Sequence, residues 1–391
     1  ARADAESSAA QTQGVEGRIA EEFQPYGARS RLFSRLGVLG LLPMGKDNNR
    51  LGFSFERPKW RANADFSLIV AAFMFLAVTG AVARAADQVT SAYQSVSIGS
   101  STPLWIAKDA GFFERQGLDV KIVFVEGSPR TLQTLIAGES QIVESTGPAV
   151  LNARAAGSPV VIVAGYVNVM PYYLIVDNSI NSPADLKGKV GANHMPGTAA
   201  DTVIRIGLKA LGLDPDRDVS LRGVGNTPMR LQAMSAGVAQ FMVGQDLELQ
   251  QAKRLGFKVL VDYVAAKTPF PMGGAVTTQR YVREKRDVVL RYVKALALAL
   301  QYLKTNREGS IAIISRYARS LNPEVMGAAF DSARRLYNEI PVPTTEGFEL
   351  VARELAQRNP KLRDFDTSSA VDLQFVRELE QSGFLKSPKG N

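Results

Sequence analysis

Three hydroxyl residues in a row, Ser100, Ser101 and Thr102, stand against the start of an apolar-periodic helix in the stretch GSSTPLWIAKDAGFFERQGLD over 99–119. Trp105 follows one turn later. Similar corners recur down the chain: Gly127, Ser128 and Arg130; Ser145, Thr146 and Gly147; His194, Gly197 and Thr198; Gly225, Asn226 and Thr227; Gln245 and Asp246. Such side chains donate and accept hydrogen bonds. A helix N-terminus adds free N–H groups and a partial positive charge, so the chemistry expected of these corners is the holding of a small polar or anionic ligand. Arg130 adds to that expectation, because a cation in a first helical turn opposes the helix dipole and is easier to justify beside a bound anion. Capping competes with ligand contact at each corner, since Ser, Thr, Asn and Asp are the preferred N-caps. Trp105, Tyr166 and Tyr172 are candidates for aromatic cleft walls, although a Trp one turn into a helix also suits a core.

The elements that must position these corners are legible as an alternation of strand and helix. SVSIGSS, TPLWIAKDAGFFERQG, DVKIVFVEG, PRTLQTLIAGE, QIVEST, GPAVLNARAAG and VVIVAGYV take turns from Ser95 onward, the pattern of βαβ units and a largely parallel sheet. KVGANH, GTAADTVIRIGLKALG, VSLRGV, NTPMRLQAMSAG, QFMVGQ, DLELQQAKRLG and KVLVDY then repeat the order. LQTLIAGESQ from Leu132 matches LQAMSAGVAQ from Leu231, and Gly-Leu-Asp precedes each, at Gly117 and at Gly212. Two similar lobes follow from that duplication. The expected organisation is a first lobe over 86–172, a second over 173–271, and a return to the first with C-terminal helices over 272–391. Crossings near Tyr172 and Pro271 leave a cleft between the lobes, and ligands of open α/β sheets collect outside the carboxyl ends of the strands.

Catalysis finds little support. There is no Cys and one His, which removes thiolate nucleophiles, disulfides, Cys-based zinc sites, His-rich metal sites and a lipid-modified N-terminal Cys. No phosphate loop, nucleophile elbow, dinucleotide fingerprint or H-E-x-x-H occurs, and no cofactor is expected. The net charge of +8 is mild, and no basic run alternates with aromatics as a nucleic-acid reader would require.

Residues 66–83, FSLIVAAFMFLAVTGAVA, form an apolar run preceded by Arg57, Lys59 and Arg61 and followed by Ala83-Arg84-Ala85. That order is read as a signal peptide over 57–85, cleaved after Ala85, with 1–56 as an upstream extension. An uncleaved anchor is the alternative, the run being close to the minimum of about 17–20 apolar residues for a span.

TPLWIAKDAGFFERQGLDV (102–120), LIAGESQIVESTGPAVLNARAAGSPVVIVAG (135–165) and SPADLKGKVGANHMPGTAADTVIRIGLKALGLD (182–214) resemble the periplasmic substrate-binding proteins of the nitrate/sulfonate/taurine class of ABC transporters. The resemblance covers 95 to about 300 and is weaker in the C-terminal helices. It implies an α/β fold of two lobes, of class II periplasmic-binding-protein type: two parallel-rich sheets with helices on both faces, a cleft between them and a C-terminal helical extension. It further implies a periplasmic monomer that catalyses nothing, takes a small-molecule ligand at the strand-end corners, and delivers it to a membrane permease. Hydroxyl and N–H donors suit a sulfonate, carboxylate or nitrate, whereas aromatic walls suit a pyrimidine-type heterocycle, and both stay open here. The same superfamily holds a pyrimidine-precursor-synthesising enzyme, but that branch relies on a Cys-rich segment and a His in the first lobe, which this chain lacks. Where relatives commonly carry an acidic residue after A-G-x-x, this chain has Gln141 and Gln240.

Overall fold

The computed structural model describes residues 85–318 and 322–386. The apolar run and the upstream extension lie outside these residues. No helix among the described residues is long and apolar enough to cross a membrane.

The first lobe runs β1 (Asp87–Tyr93), α1 (Ile98–Asp109), α2 (Phe112–Arg115), β2 (Leu118–Phe124), α3 (Ser128–Ile136), β3 (Ile142–Ser145), α4 (Gly147–Ala155) and β4 (Val160–Val169). The chain then crosses to a second sheet. There it forms β5 (Tyr173–Val176), β6 (Val190–Asn193), α5 (Ala199–Ala210), β7 (Ser220–Gly223), α6 (Thr227–Ser235), β8 (Phe241–Gly244), α7 (Asp246–Arg254) and β9 (Lys258–Asp262). It returns through β10 (Pro269–Thr278) and continues as α8 (Gln279–Glu284), α9 (Arg286–Thr305), α10 (Arg307–Ala318), α11 (Pro323–Ala333), α12 (Glu346–Leu355) and α13 (Gln374–Gln381). The sheet orders are β2-β1-β3-β10-β4 and β7-β6-β8-β5-β9. In each sheet three strands are parallel, the product of right-handed βαβ turns. β10 in the first sheet and β5 in the second pair antiparallel to them, and the edge strands β4 and β9 pair antiparallel to β10 and β5 in turn.

The duplication is structural. The order β2-β1-β3 corresponds to β7-β6-β8, and one side chain does the same work twice. Gln141 accepts a hydrogen bond from Thr90 N at 2.8 Å and donates to Gly138 O at 3.4 Å. Gln240 accepts from Val190 N at 3.1 Å and donates to Gly237 O at 3.2 Å. Gly138 (φ 81°) and Gly237 (φ 70°) are the left-handed residues that end α3 and α6, a conformation costly for any side chain with a Cβ. Each glutamine thus ties a helix terminus to the neighbouring strand without a charge.

Apolar periodicity places the core. Leu118 and Val120 of β2 are buried while Asp119 and Lys121 between them are exposed, the period of a strand. In α9, Val289, Tyr292, Val293, Leu296, Leu300 and Leu303 form one buried stripe, and the helix packs on α1 and α2. Residues of β5 alternate between the two faces of the second sheet, Leu174 and Val176 joining the larger core and Tyr173 and Ile175 a smaller one. Glu144 sits inside the first lobe. Burial pushes its carboxyl up to about 8, and the Tyr166 hydroxyl donates to it.

Two expectations are corrected. SVSIGSS is no strand: β1 ends at Tyr93 and α1 opens at Ile98, with Ser97 in the extended N-cap conformation. Thr102-Pro103 reads as a helix start because Pro suits the first turn, yet burial of Ile98 draws the preceding turn into the helix and leaves Pro103 inside it. Nor do the late helices surround the first lobe alone. α11 packs on α7, and α12 touches β10, α4 and α5. Lys209–Glu354 (2.7 Å), Arg254–Glu324 (2.7 Å) and Arg358–Asp201 (3.4 Å) tie those helices and the residues after α12 to the second lobe.

If the glutamine clamps hold both lobes alike, Gln141→Ala and Gln240→Ala each lose about 1–2 kcal/mol, because a half-buried strand N–H is left without its partner. Guanidinium unfolding reads this as a lower midpoint at constant slope. Unchanged midpoints would show that water replaces the side chain.

Candidate functional site

The carboxyl ends of β1, β2 and β3 face those of β6, β7 and β8 across a cleft of about 550 Å³ including its open mouth, within the size range of small-molecule sites. The first lobe contributes Gln94 and Ser95 to Ser97 beyond β1, Ser100 in α1, Glu126 to Ser128 beyond β2, and Thr146 beyond β3. The second contributes His194, Thr198, Asn226, Thr227, Arg230 and Gln245, with Tyr172 from the crossing at the base.

Arg230 is the charge at the centre of this arrangement. It is 3% exposed, its Nη1 donates to Val243 O at 3.0 Å and its Nη2 to Thr227 Oγ1 at 2.8 Å, while its Nε has no hydrogen-bond partner among the described residues. Burial lowers its pKa from the ordinary guanidinium value, with Tyr172 and Glu248 as acidic neighbours acting against that shift. Neither forms an ion pair with it among the described residues. A guanidinium remains charged at any physiological pH, so the cleft holds an incompletely partnered buried cation.

Contacts across the cleft bring the lobes together at floor and mouth. At the floor, Ser97 Oγ donates to Glu248 Oε1 at 3.3 Å, and Glu248 Oε2 accepts from Gln245 N at 3.1 Å. A Cβ on Gly99 would lie 2.5 Å from Gln245 Oε1, so a larger residue there would have to displace that side chain. At the mouth, Glu126 Oε2 accepts from Asn226 Nδ2 at 3.3 Å, and Glu126 Oε1 lies 3.4 Å from His194 Nε2. Burial, then the Arg230 charge, lower the His194 pKa against the opposing pull of Glu126. The ring is therefore neutral at pH 7 and donates from Nε2 to the carboxylate.

Of the residues anticipated as ligand contacts, the cleft brings together Ser100, Ser128, Thr146, Tyr172, His194, Thr198, Asn226, Thr227 and Gln245. Ser101, Thr102, Trp105, Arg130, Ser145, Gly197 and Asp246 do not line it. Thr102 Oγ1 donates to Ile98 O at 2.7 Å, one turn back in α1. Trp105 is wholly buried and stacks on Tyr317 with ring centroids 5.1 Å apart. Ser145 Oγ turns to Ser128 O at 3.5 Å, and Asp246 accepts from Tyr173 at 3.0 Å. Gly197 N donates to Asp201 at 3.2 Å in the turn before α5. Capping explains Thr198 and Asn226, whose side chains accept from Asp201 N and Met229 N. It does not explain Thr146, which stands at an N-cap yet donates to Ser128 Oγ at 3.1 Å, nor Ser100, whose buried hydroxyl has no partner among the described residues.

Arg130 is exposed on the outside of α3. The duplicated sequence held the signal for its replacement. Aligning Leu132-Gln133 with Leu231-Gln232 pairs Arg230 with Thr131, not with Arg130, and one residue is about 100° around a helix. Thr131 is buried and donates to Glu144 O at 3.0 Å, as Arg230 does to the equivalent Val243 O. Gln94 and Glu126 were missed because neither stands at a helix start. Among the described residues no group of three or more His, Asp or Glu side chains is arranged to hold a metal ion.

As His194 is the only histidine of the chain, its imidazole resonances are unambiguous. Their titration should have its midpoint below the ordinary value of about 6.5. By linkage the stability owed to burying a neutral His194 is fully present above that ordinary value and is lost as pH falls below it toward the lower midpoint of the folded protein. A midpoint above it would show that Glu126 outweighs burial and that the mouth is tightened by acid.

Comparison with known proteins places this geometry in a family. Residues 99–309 match the NMT1/THI5-like family model. The formylaminopyrimidine-binding protein of Halalkalibacterium halodurans is 26% identical over 223 residues, 54% of this chain and 65% of that protein. A solved protein of Bordetella bronchiseptica RB50 superposes with a TM-score of 0.68 at 22% identity, over 77% of this chain and 98% of that one. The alkanesulfonate-binding protein of Xanthomonas axonopodis pv. citri, bound to MOPS, gives 0.62 at 20% identity, over 73% and 98%. Periplasmic sulfonate- and nitrate-binding proteins stand among the other structures of this fold. With two mixed sheets of duplicated topology around a polar cleft and a family match over more than half its length, the chain belongs to the NMT1/THI5-like family.

Proposed function

We propose that this protein is an extracytoplasmic solute-binding protein that captures a small organic anion between its lobes and presents it to the membrane permease of an ABC importer. The observation that carries the reading is Arg230, a buried guanidinium with a free Nε–H in a cleft between two lobes. An anion bound there completes its hydrogen bonds and supplies the missing counter-charge. Ser100 and the N-termini of the surrounding helices add donors suited to oxygen acceptors. The alkanesulfonate binder of the same fold supports a sulfonate or carboxylate, and the nitrate binder an inorganic anion. The relative named for a formylaminopyrimidine supports a heterocycle as the second reading. Trp105 lies in the core and is not available as a stacking wall.

Binding rather than catalysis fits the wiring of the cleft. His194, the one imidazole, is engaged by Glu126, and no hydroxyl is hydrogen-bonded to it among the described residues. Ligand contacts drawn from both lobes give the closed arrangement a differential affinity, which is the requirement for a ligand to shift a hinge equilibrium.

Thermal-shift screening of alkanesulfonates, carboxylates, nitrate and pyrimidines tests the reading, since a ligand of the native state raises the melting temperature. For the anion found, Arg230→Gln should weaken binding by about tenfold to a hundredfold while leaving the ligand-free protein as stable or more so. Ser100→Ala should weaken it by about tenfold, and Thr102→Ala should leave affinity unchanged. A ligand that binds Arg230→Gln as tightly as the native chain, or that is chemically consumed, contradicts the proposal.

A further inference from the structure

Arg230 is not the only cleft side chain with unused hydrogen-bonding capacity. Gln94, just beyond the carboxyl end of β1, is 5% exposed and lines the cleft, and neither its Oε1 nor its Nε2 has a hydrogen-bond partner among the described residues. Its backbone carbonyl accepts from Gly127 N at 3.0 Å. The side chain is therefore anchored at its root and free at its tip. Because both ends of the amide are free, exchanging O and N leaves the conclusion unchanged.

A primary amide offers donors from its nitrogen and an acceptor oxygen beside them. A bare oxyanion such as nitrate or a simple alkanesulfonate accepts hydrogen bonds and donates none. It satisfies Arg230 Nε, Ser100 and the Gln94 nitrogen, and leaves the Gln94 oxygen buried without a partner, which is unfavourable. A group with an N–H next to a C=O satisfies both ends of Gln94 at once.

Resting on the reading of the cleft as an anion-binding site, we infer that its ligand is a carboxylate or sulfonate that also carries an amide-like edge, as a carboxamide, lactam or ureido group does, and that Gln94 is the residue that selects for that edge. Selectivity comes from the site's own polar groups. A cleft built to hydrogen-bond an N–H rejects the analogue lacking it more strongly than an apolar cleft distinguishes shapes.

Isothermal titration of the full chain with matched probes tests the inference. Succinamate and levulinate share a carboxylate and a carbonyl and differ only in an amide nitrogen replaced by methyl; 3-carbamoylbenzoate and 3-acetylbenzoate repeat the comparison on a ring. Butanesulfonate and nitrate serve as acceptor-only anions. The expected result is that an amide member binds at least about tenfold more tightly than its ketone partner, and that Gln94→Leu removes the difference. Should Gln94→Leu fail to fold, Gln94→Met keeps the length of the side chain, deletes both the acceptor and the donor of the amide, and should also abolish the preference. Equal binding of amide and ketone, or a preference that survives both substitutions, overturns the inference. If the ketones, butanesulfonate or nitrate bind without any gain for the amides, the anion site stands and Gln94 is solvated by water. If none of the six binds, the anion site falls as well.

Discussion

A guanidinium enclosed without a carboxylate partner is the constraint around which this molecule is arranged. Removing such a charge from water costs several kcal/mol or more unless other groups replace the lost hydration, with about that scale recovered only through well-made hydrogen bonds. Val243 O and Thr227 Oγ1 replace part of it for Arg230. Both acceptors belong to the β7–α6–β8 segment, so the arginine is held by its own lobe whether or not the other lobe is near. The remaining Nε–H has no hydrogen-bond partner among the described residues, and on the proposed reading an anion in the cleft completes it. On the proposed reading charge and hinge are coupled, because the lobe that holds the cation would also bring the ligand to the opposite wall.

The duplication explains how one lobe acquired this charge without losing its packing. Thr131 and Arg230 occupy equivalent places, each bonded to the equivalent strand carbonyl. In the first lobe a short hydroxyl suffices, and the neighbouring strand carries the buried Glu144. In the second lobe Val243 stands where Glu144 would be, and the longer arginine bonds its carbonyl while lining the cleft. Gln141 and Gln240 preserve the helix-to-strand junctions in both lobes. Ser97 with Glu248 and Glu126 with His194 and Asn226 then bridge the facing edges.

Strand and helix alternation, the two-lobed division and the location of the cleft at the strand carboxyl ends were legible in the sequence, because hydrophobic period and Gly-ended helices report them directly. Individual contacts were less so. Ser100, Ser101 and Thr102 are adjacent letters, yet within a helix each points some 100° from the last, and Ser100 alone lines the cleft. Their prominence came from misplacing the start of α1 by a turn. Arg130 drew attention as an apparent conflict with the helix dipole, but a solvated arginine on an exposed face bears little of that conflict. Arg230, past the first turn and paired by alignment with an unremarked threonine, carried no local signal. Gln94 and Glu126 lay in strand-end loops, where nothing short of the folded backbone shows that they converge.

A crystal structure of the chain grown with 2-bromoethanesulfonate, read through the anomalous signals of bromine and sulfur, addresses the central claim most directly. The account predicts the sulfonate between the lobes, with an oxygen within hydrogen-bond distance of Arg230 Nε and another facing Ser100. A cleft that stays empty while the anion occupies an outer surface, or a sulfonate in the cleft with Arg230 Nε turned to a protein acceptor, would contradict it.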